Sequence, residues 1–234
     1  MTLDEPLIAE WIAWLNDLRP DLEFTHFHGE MWREVTDAMW ERAPETPGVW
    51  RAHYLRLYVD GAAMAVRRLL RTGGSGTITL GKILEGISNH PELFTTDRYL
   101  ERWEGRNGPD QLERARIEFD RDWTDGQGCL DLRRVRRDRQ QMNEIADRVV
   151  QFADESLAHT IPGRPMVEGL TFGNLNKAID HVTETFQQYA AMLTGNWYAL
   201  VPIVTPEWKS SFYRPLFDAP EWWPLEPDEP PRPS

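Results

Sequence analysis

Residues 54–70 read YLRLYVDGAAMAVRRLL and decide the fold class of this chain. Their apolar side chains recur every three or four residues and share a narrow arc of a helical wheel. These side chains are Leu55, Tyr58, Val59, Ala62, Val66, Leu69 and Leu70. A period of about 3.6 residues is typical of an α-helix that buries one face. We therefore predict a core helix over about residues 49–71, ended by Gly73 and Gly74.

The same period recurs along the rest of the chain, and almost no segment alternates as a half-buried strand does. Further helices are predicted over about residues 5–18, 29–43, 80–90, 109–122, 130–158 and 171–194. Pro20 is expected to stop the first of them, and Thr171 and Gly195 to cap the last. The sequence pattern of residues 91–108 does not distinguish a helix from a loop. The pattern predicts an all-α protein.

The composition changes from about Pro202 onward, where nine of the chain's 17 prolines fall in the last 33 residues. Trp208, Trp222 and Trp223 lie in the same segment. We predict an N-terminal helical extension over residues 1–28, a main helical domain over 29–201 and a Pro/Trp-rich tail over 202–234. An aromatic, proline-rich tail is suited to packing on a domain or docking onto a partner protein.

The charge balance is acidic, with 26 Lys and Arg against 38 Asp and Glu and a formal net charge of -12. This balance argues against a protein that coats nucleic acid through its overall field, although a local basic patch stays open. The single Cys129 cannot form an internal disulfide, and no Cys/His run has zinc-ligand spacing. No stretch is long and apolar enough to span a membrane. We expect a cytoplasmic protein with no metal and no cofactor.

Four polar residues of the core helix form a stripe opposite its apolar arc. They are His53, Arg56, Asp60 and Arg67. A histidine, an acid and two arginines on one stripe can bind or cleave a phosphodiester, with His as acid or base and Arg stabilising the developing charge. The alternative is a network of salt bridges between helices.

Five arginines lie within seven residues at the start of the predicted helix over 130–158. They are Arg133, Arg134, Arg136, Arg137 and Arg139. Because successive helical residues turn by about 100°, only some of them can face a phosphate backbone together. The alternative is a solvated helix in which the arginines pair with acids such as Asp131 and Asp138.

His159 follows the last residue of that helix. An imidazolium at a helix C-terminus is stabilised by the macrodipole, so a capping role competes with a role as acid or base in RNA cleavage. Arg148 lies 11 residues earlier, about 16 Å along the helix, which is too far to join His159 directly.

Four blocks of the chain follow one another as in the AbiU-like branch of the HEPN superfamily. They are YLRLYVDGAAMAVRRLL (54–70), TITLGKILEGISNHPELF (77–94), ADRVVQFADESLAHT (146–160) and TFGNLNKAIDHVTETFQQYAAMLTG (171–195). The resemblance covers about residues 30–217. It implies a dimeric helical bundle, and many members of this superfamily are metal-independent ribonucleases of toxin–antitoxin, abortive-infection and CRISPR systems.

Catalysis in the superfamily usually uses an arginine, four to six intervening residues and a histidine. His159 matches the histidine, whereas Phe152, Ala153 and Asp154 stand where the arginine should fall. The resemblance therefore implies His159 as acid or base, Asp154 at the motif position, and Arg67 or Arg68 from another helix as the source of positive charge. The expected RNA-binding residues are Arg56, Arg133, Arg136, Arg137 and Arg148.

Two functions follow from the resemblance as expectations; a helical domain that binds a small nucleotide or a protein partner outside defence is a third. The first is a HEPN-type RNA endonuclease of prokaryotic antiviral defence or of a toxin–antitoxin pair, acting as a homodimer. The second is a HEPN-fold sensor, scaffold or interaction subunit that has lost catalysis, and Asp154 at the arginine position favours it. In both, the tail over 202–234 is a candidate contact for an antitoxin or another partner protein.

Overall fold

The computed structural model describes residues 5–42, 48–71, 76–102, 108–158 and 170–195. Within these ranges the chain forms seven α-helices and no strand, so the predicted all-α class is confirmed there. The helices are α1 (Glu5–Arg42), α2 (Gly48–Leu70), α3 (Leu80–Asn89), α4 (Thr96–Glu101), α5 (Pro109–Trp123), α6 (Leu132–Phe152) and α7 (Phe172–Thr194).

Helix α1 differs from the sequence prediction, because it runs without a break through Pro20. The prediction of two helices, over 5–18 and 29–43, is therefore wrong. Proline removes one backbone hydrogen bond, but Leu15, Leu18 and Leu22 on either side of it are buried in the core. Burial of large apolar side chains outweighs the lost bond. The domain boundary predicted at residues 28 and 29 falls inside this helix.

The caps of α3 and α7 agree with the predictions from local sequence. The Thr79 hydroxyl accepts a hydrogen bond from the Lys82 amide, and α3 ends at Asn89 before Pro91. Thr171 caps α7 through the amide of Asn174. Gly195 ends α7 with a φ of 71°, a left-handed conformation that glycine adopts without strain.

The segment before α6 is more ordered than its sequence indicates. A short 3₁₀ turn, Pro91–Leu93, and α4 occupy most of the stretch over 91–102. Isolated antiparallel bridges join Thr95 to Cys129 and Thr124 to Leu130. Leu130 therefore belongs to a bridge rather than to the helix, and α6 begins two residues later with Asp131 as its cap.

Helix α6 continues into one stretch of π-helix, Ala153–Ala158. The predicted helix over 130–158 is thus one continuous helical segment whose last turn is wider than an α turn. Isolated π turns inside helices are rare and are frequent at functional sites.

The described helices enclose two clusters of buried side chains. The larger packs Trp11 and the leucines of α1 against α3, the start of α6 and the second half of α7. The smaller packs Tyr58 and Val66 of α2 against the end of α6 and the first half of α7. In the larger cluster, a Cβ added to Gly86 would lie 2.8 Å from Cζ2 of Trp11, so α1 and α3 touch through a glycine.

Several predicted features lie outside the described residues. They are Gly73 and Gly74, the loop over 159–169 with His159, and the Pro/Trp-rich tail over 202–234. In the part of the chain that is described, no helix combines the length and apolarity that crossing a membrane requires.

Candidate functional site

The candidate site lies where the C-terminal end of α2 meets the π turn that follows α6. Three arginines, Arg67, Arg68 and Arg71, are at this end of α2 or directly beyond it. Cations at a helix C-terminus are stabilised by the macrodipole, so the sequence places positive charge where the helix tolerates it best. Arg67 and Arg71 are one turn apart and share a face, whereas Arg68 is turned by about 100° from Arg67.

Arg67 and Arg71 both contact Asp154 of the π turn. The Arg67 Nε donates to Asp154 Oδ1 at 2.5 Å, and the Arg71 Nε lies 3.4 Å from Oδ2. The side chains of Arg67 and Asp154 are each 25% exposed, and that of Arg71 is 55% exposed. Two guanidinium groups against one carboxylate leave the cluster with a net positive charge at the protein surface.

Asp154 is the only one of the three motif positions that reaches the surface. Phe152 and Ala153 are buried in the smaller core cluster, with exposures of 4% and 0%. An arginine at either buried position would bury a charge without a partner, which is unfavourable. Of these three positions, only residue 154 can therefore present a polar side chain to solvent or to a ligand.

Arg68 has a different partner from Arg67. Its Nη2 donates to Oδ1 of Asp21 on α1 at 2.5 Å, and its side chain is more than half exposed. Burial raises the pKa of Asp21, and the nearby charge of Arg68 opposes that rise. Of the two arginines that the sequence proposed as a source of positive charge, only Arg67 lies against Asp154.

The predicted stripe on α2 does not converge on this cluster. Arg56 forms an ion pair with Asp60 on its own helix, at 2.9 Å, and its side chain is exposed. Arg56 precedes Arg67 by 11 residues, which is about 16 Å along the helix axis. The stripe thus divides into a local pair at Arg56 and an interhelical pair at Arg67. His53 is exposed on the first half of α2.

The five arginines at the start of α6 fall into two groups. Arg134 is half-buried: its guanidinium lies 4.2 Å from the centre of the Trp123 ring and donates to the Asp122 carbonyl and to Gln188. Arg139 pairs with Glu85 of α3 at 2.9 Å. Both arginines stabilise the packing of α6 on its neighbours. Arg133, Arg136 and Arg137 are exposed, as is Arg148 further along the helix.

Sequence reasoning missed two features near these residues. The first is Arg71, which stands four residues after Arg67, and that spacing alone would have placed both on one helix face. The second is a polar contact between α1 and α7, where His26 Nε2 lies 3.0 Å from the Thr183 hydroxyl. No sequence signal connects these two residues, which are 157 positions apart.

The environment of His26 favours the neutral form of its imidazole. Burial lowers its pKa most strongly; Asp180 and Glu30 oppose this, and Arg33 adds to it. A neutral imidazole beside a hydroxyl resembles a base and a nucleophile. However, Thr183 is buried, with 7% exposure, which disfavours a role for its hydroxyl as a nucleophile. We therefore interpret this contact as a structural link between α1 and α7.

Among the described side chains, no three His, Cys, Asp or Glu residues gather as a metal-binding group. The fold and the site thus define an all-α protein with an arginine–carboxylate cluster at a π turn. Comparisons with family models, with curated proteins and with solved structures gave no match. The likeness to the HEPN superfamily therefore rests on the four sequence blocks.

Proposed function

We propose that this chain is a HEPN-type protein of prokaryotic antiviral defence or of a toxin–antitoxin system, and that it cleaves RNA without a metal ion. The observation that supports the proposal is the contact between Arg67 Nε and Asp154 Oδ1. Asp154 stands five residues before His159, where the superfamily motif has its arginine. Arg67 brings a guanidinium group to that position from α2.

In this reaction His159 acts as the general acid or base, and Arg67 stabilises charge on the phosphorane. The 2′-hydroxyl of the RNA gives up its proton to a base and attacks the adjacent phosphorus, the 5′-oxygen leaves and takes up a proton, and a 2′,3′-cyclic phosphate forms. Asp154 engages the Nε of Arg67, and the two Nη atoms form no hydrogen bond with any side chain in the described ranges. A guanidinium has five N–H donors in a fixed fork, so the Nη side suits a phosphate.

The second candidate is a HEPN-fold interaction subunit without catalysis. It is favoured by the engagement of both carboxylate oxygens of Asp154, which neutralises part of the charge of Arg67 and Arg71. In that case the tail over 202–234 and a homodimer contact are the functional surfaces. Under either candidate we propose a cytoplasmic homodimer.

The deciding experiment incubates purified protein with end-labelled single-stranded RNA in the presence of a chelator. Wild type should cleave the RNA to products ending in a 2′,3′-cyclic phosphate, and His159→Ala should not. His90→Ala is the matched control, because His90 caps the C-terminal end of α3, and its side chain is 46% exposed and pairs with Glu92. It should cleave as wild type does.

In parallel, growth and total-RNA integrity are compared in cells that express each variant. RNA breakdown with wild type and with His90→Ala, but not with His159→Ala, supports the proposed ribonuclease activity. Equal cleavage by His159→Ala would contradict the assigned role of His159. Intact RNA with all three proteins, in vitro and in cells, would favour the interaction subunit.

A further inference from the structure

The beginning of α6 places positive charge where a helix disfavours it. Its first turn has no acidic residue, and Arg133, Arg134, Arg136 and Arg137 occupy the first two turns. The N-terminal end of a helix carries a partial positive charge, so cations in its first turn, here Arg133 and Arg134, are unfavourable unless something compensates them. Asp131, the capping residue, supplies one carboxylate. A nearby anionic group would stabilise the remaining positive charge of these arginines.

Contacts within the protein compensate only some of these arginines. Arg134 is held by Trp123, Gln188 and Asp138. The side chains of Arg133 and Arg136 form no ion pair with any residue in the described ranges.

Arg137 is the third arginine that the protein leaves largely to solvent. Its side chain is 63% exposed and its Nε lies 3.6 Å from the Asp138 carboxylate, which also accepts a hydrogen bond from the Tyr189 hydroxyl. Arg133, Arg136 and Arg137 lie within an arc of about 100° on the helical wheel. We call these three residues the α6 arginine surface.

We propose that the α6 arginine surface binds the phosphate backbone of single-stranded RNA. This inference rests on the proposed function and extends it to a binding surface separate from the reacting groups. Side chains at i, i+3 and i, i+4 are about 5–6 Å apart at their roots, and guanidinium groups bind phosphate oxygens in pairs. Three such groups on one face suit a chain of regularly spaced phosphates.

The position of the surface relative to Asp154 is consistent with one bound strand. Arg137 and Asp154 are 17 residues apart, which is about 25 Å along α6 and its π turn. Arg148 is exposed between them, and so are the carboxylates of Glu144 and Asp147. Because acids interrupt the middle of the path, the affinity for the strand should come mainly from the arginine surface.

The test measures binding of a fluorescent oligouridylate of about 15 nucleotides, long enough to cover the path. All proteins carry His159→Ala, so that the probe is not cut. Arg133→Gln/Arg137→Gln is compared with Arg114→Gln/Lys177→Gln, which removes the same charge elsewhere. Arg114 on α5 and Lys177 on α7 are exposed and form no ion pair within the described ranges.

The α6 double variant should bind at least about tenfold more weakly than the control double variant. Its plot of log K against log salt should be shallower by about 1.4, since each single-strand phosphate contact contributes about 0.7 to the slope. Without RNA the same variant should have a higher Tm than the control variant, because the cation of Arg133 has left the first turn of α6.

Equal affinities and slopes for the two double variants would overturn the proposal. Displacement of the probe by polyglutamate as readily as by unlabelled oligouridylate would also overturn it, in favour of an acidic protein partner. The two proposals fail separately. If the α6 double variant loses binding but wild type does not cleave RNA, only the proposed cleavage is wrong. If wild type cleaves RNA but the α6 double variant binds as the control does, only the proposed binding surface is wrong.

Discussion

Trp11 of α1 lies against Gly86 of α3 so closely that a Cβ at residue 86 would fall within 2.8–3.0 Å of three atoms of the indole ring. Real Cβ atoms essentially never approach other heavy atoms below 3.0 Å. The indole is rigid and its exposure is only 2%, so it has little room to move. The contact makes residue 86 the point where α1 and α3 fix their separation.

We predict that Gly86→Ala lowers the free energy of unfolding by about 1–3 kcal/mol. The added methyl overpacks the Trp11 contact, and this cost exceeds the gain of under about 1 kcal/mol in helix propensity. Urea denaturation followed by tryptophan fluorescence measures the change. Gly81→Ala in the same helix is the control, since its Cβ would meet only ordinary contacts at 3.8 and 3.9 Å. Equal midpoints for the two variants would contradict the prediction.

Arg67 and Arg68 should differ in their effect on RNA cleavage. Arg67→Gln should lower the cleavage rate by about 100-fold or more, the usual cost of removing one donor to a developing oxyanion. Arg68→Gln should change it little, because Arg68 is held by Asp21 on α1. Single-turnover cleavage of labelled RNA measures both. A larger loss of cleavage rate in Arg68→Gln than in Arg67→Gln would show that Arg68, and not Arg67, stabilises the phosphorane.

The Arg67–Asp154 pair should also couple more strongly than the exposed pair on α2. A double-mutant cycle with Arg67→Gln and Asp154→Asn should give a coupling of about 1 kcal/mol or more, since both groups are three-quarters buried. The same cycle with Arg56→Gln and Asp60→Asn should give about 0.5 kcal/mol or less. Thermal or urea unfolding of the seven proteins, with wild type common to both cycles, provides the values. A reversed order would mean that the interhelical pair forms only in part.

Stability should fall as the pH is lowered from about 7.5 to 5.5. The folded protein holds the pKa of His26 below its ordinary value of 6.5 through burial, and burial also lowers the pKa of His28. The unfolded chain therefore binds more protons in the interval below pH 6.5, and protonation favours unfolding there. Above that interval both forms are neutral and the effect disappears.

The measurement is the free energy of unfolding across this pH range for wild type, His26→Gln and His53→Gln. His26→Gln should lose less stability on acidification than wild type does. His53→Gln is the comparison, because His53 is an exposed histidine. Should all three proteins follow the same curve, the contact between His26 and Thr183 would not be the source of the pH dependence.

The fold could be predicted where local chemistry decides it. Thr171 and Gly195 bound α7 because a hydroxyl cap and a left-handed glycine act within one helical turn. Pro20 misled the prediction because burial of the leucines around it is a tertiary effect. No local signal reports such an effect.

The site was predictable only as a set of residue types. Arg67 and Asp154 could be named as candidates, but their contact joins residues 87 positions apart on different helices. Periodicity gives the face of each helix and leaves open which faces meet. The division of the α6 arginines follows the same logic, since Trp123 and Glu85 decide which of them are held.

The π turn at Ala153–Ala158 changes how the end of α6 responds to small changes in chain length. A π turn closes its hydrogen bonds from i to i+5 and so accommodates one residue more than an α turn. Deleting one residue between Glu155 and Ala158 would let the segment return to an ordinary α-helix without disturbing the core at Phe152. We therefore expect a one-residue deletion to be tolerated at this point more readily than elsewhere along α6, because the π turn already holds one residue more than an α turn needs.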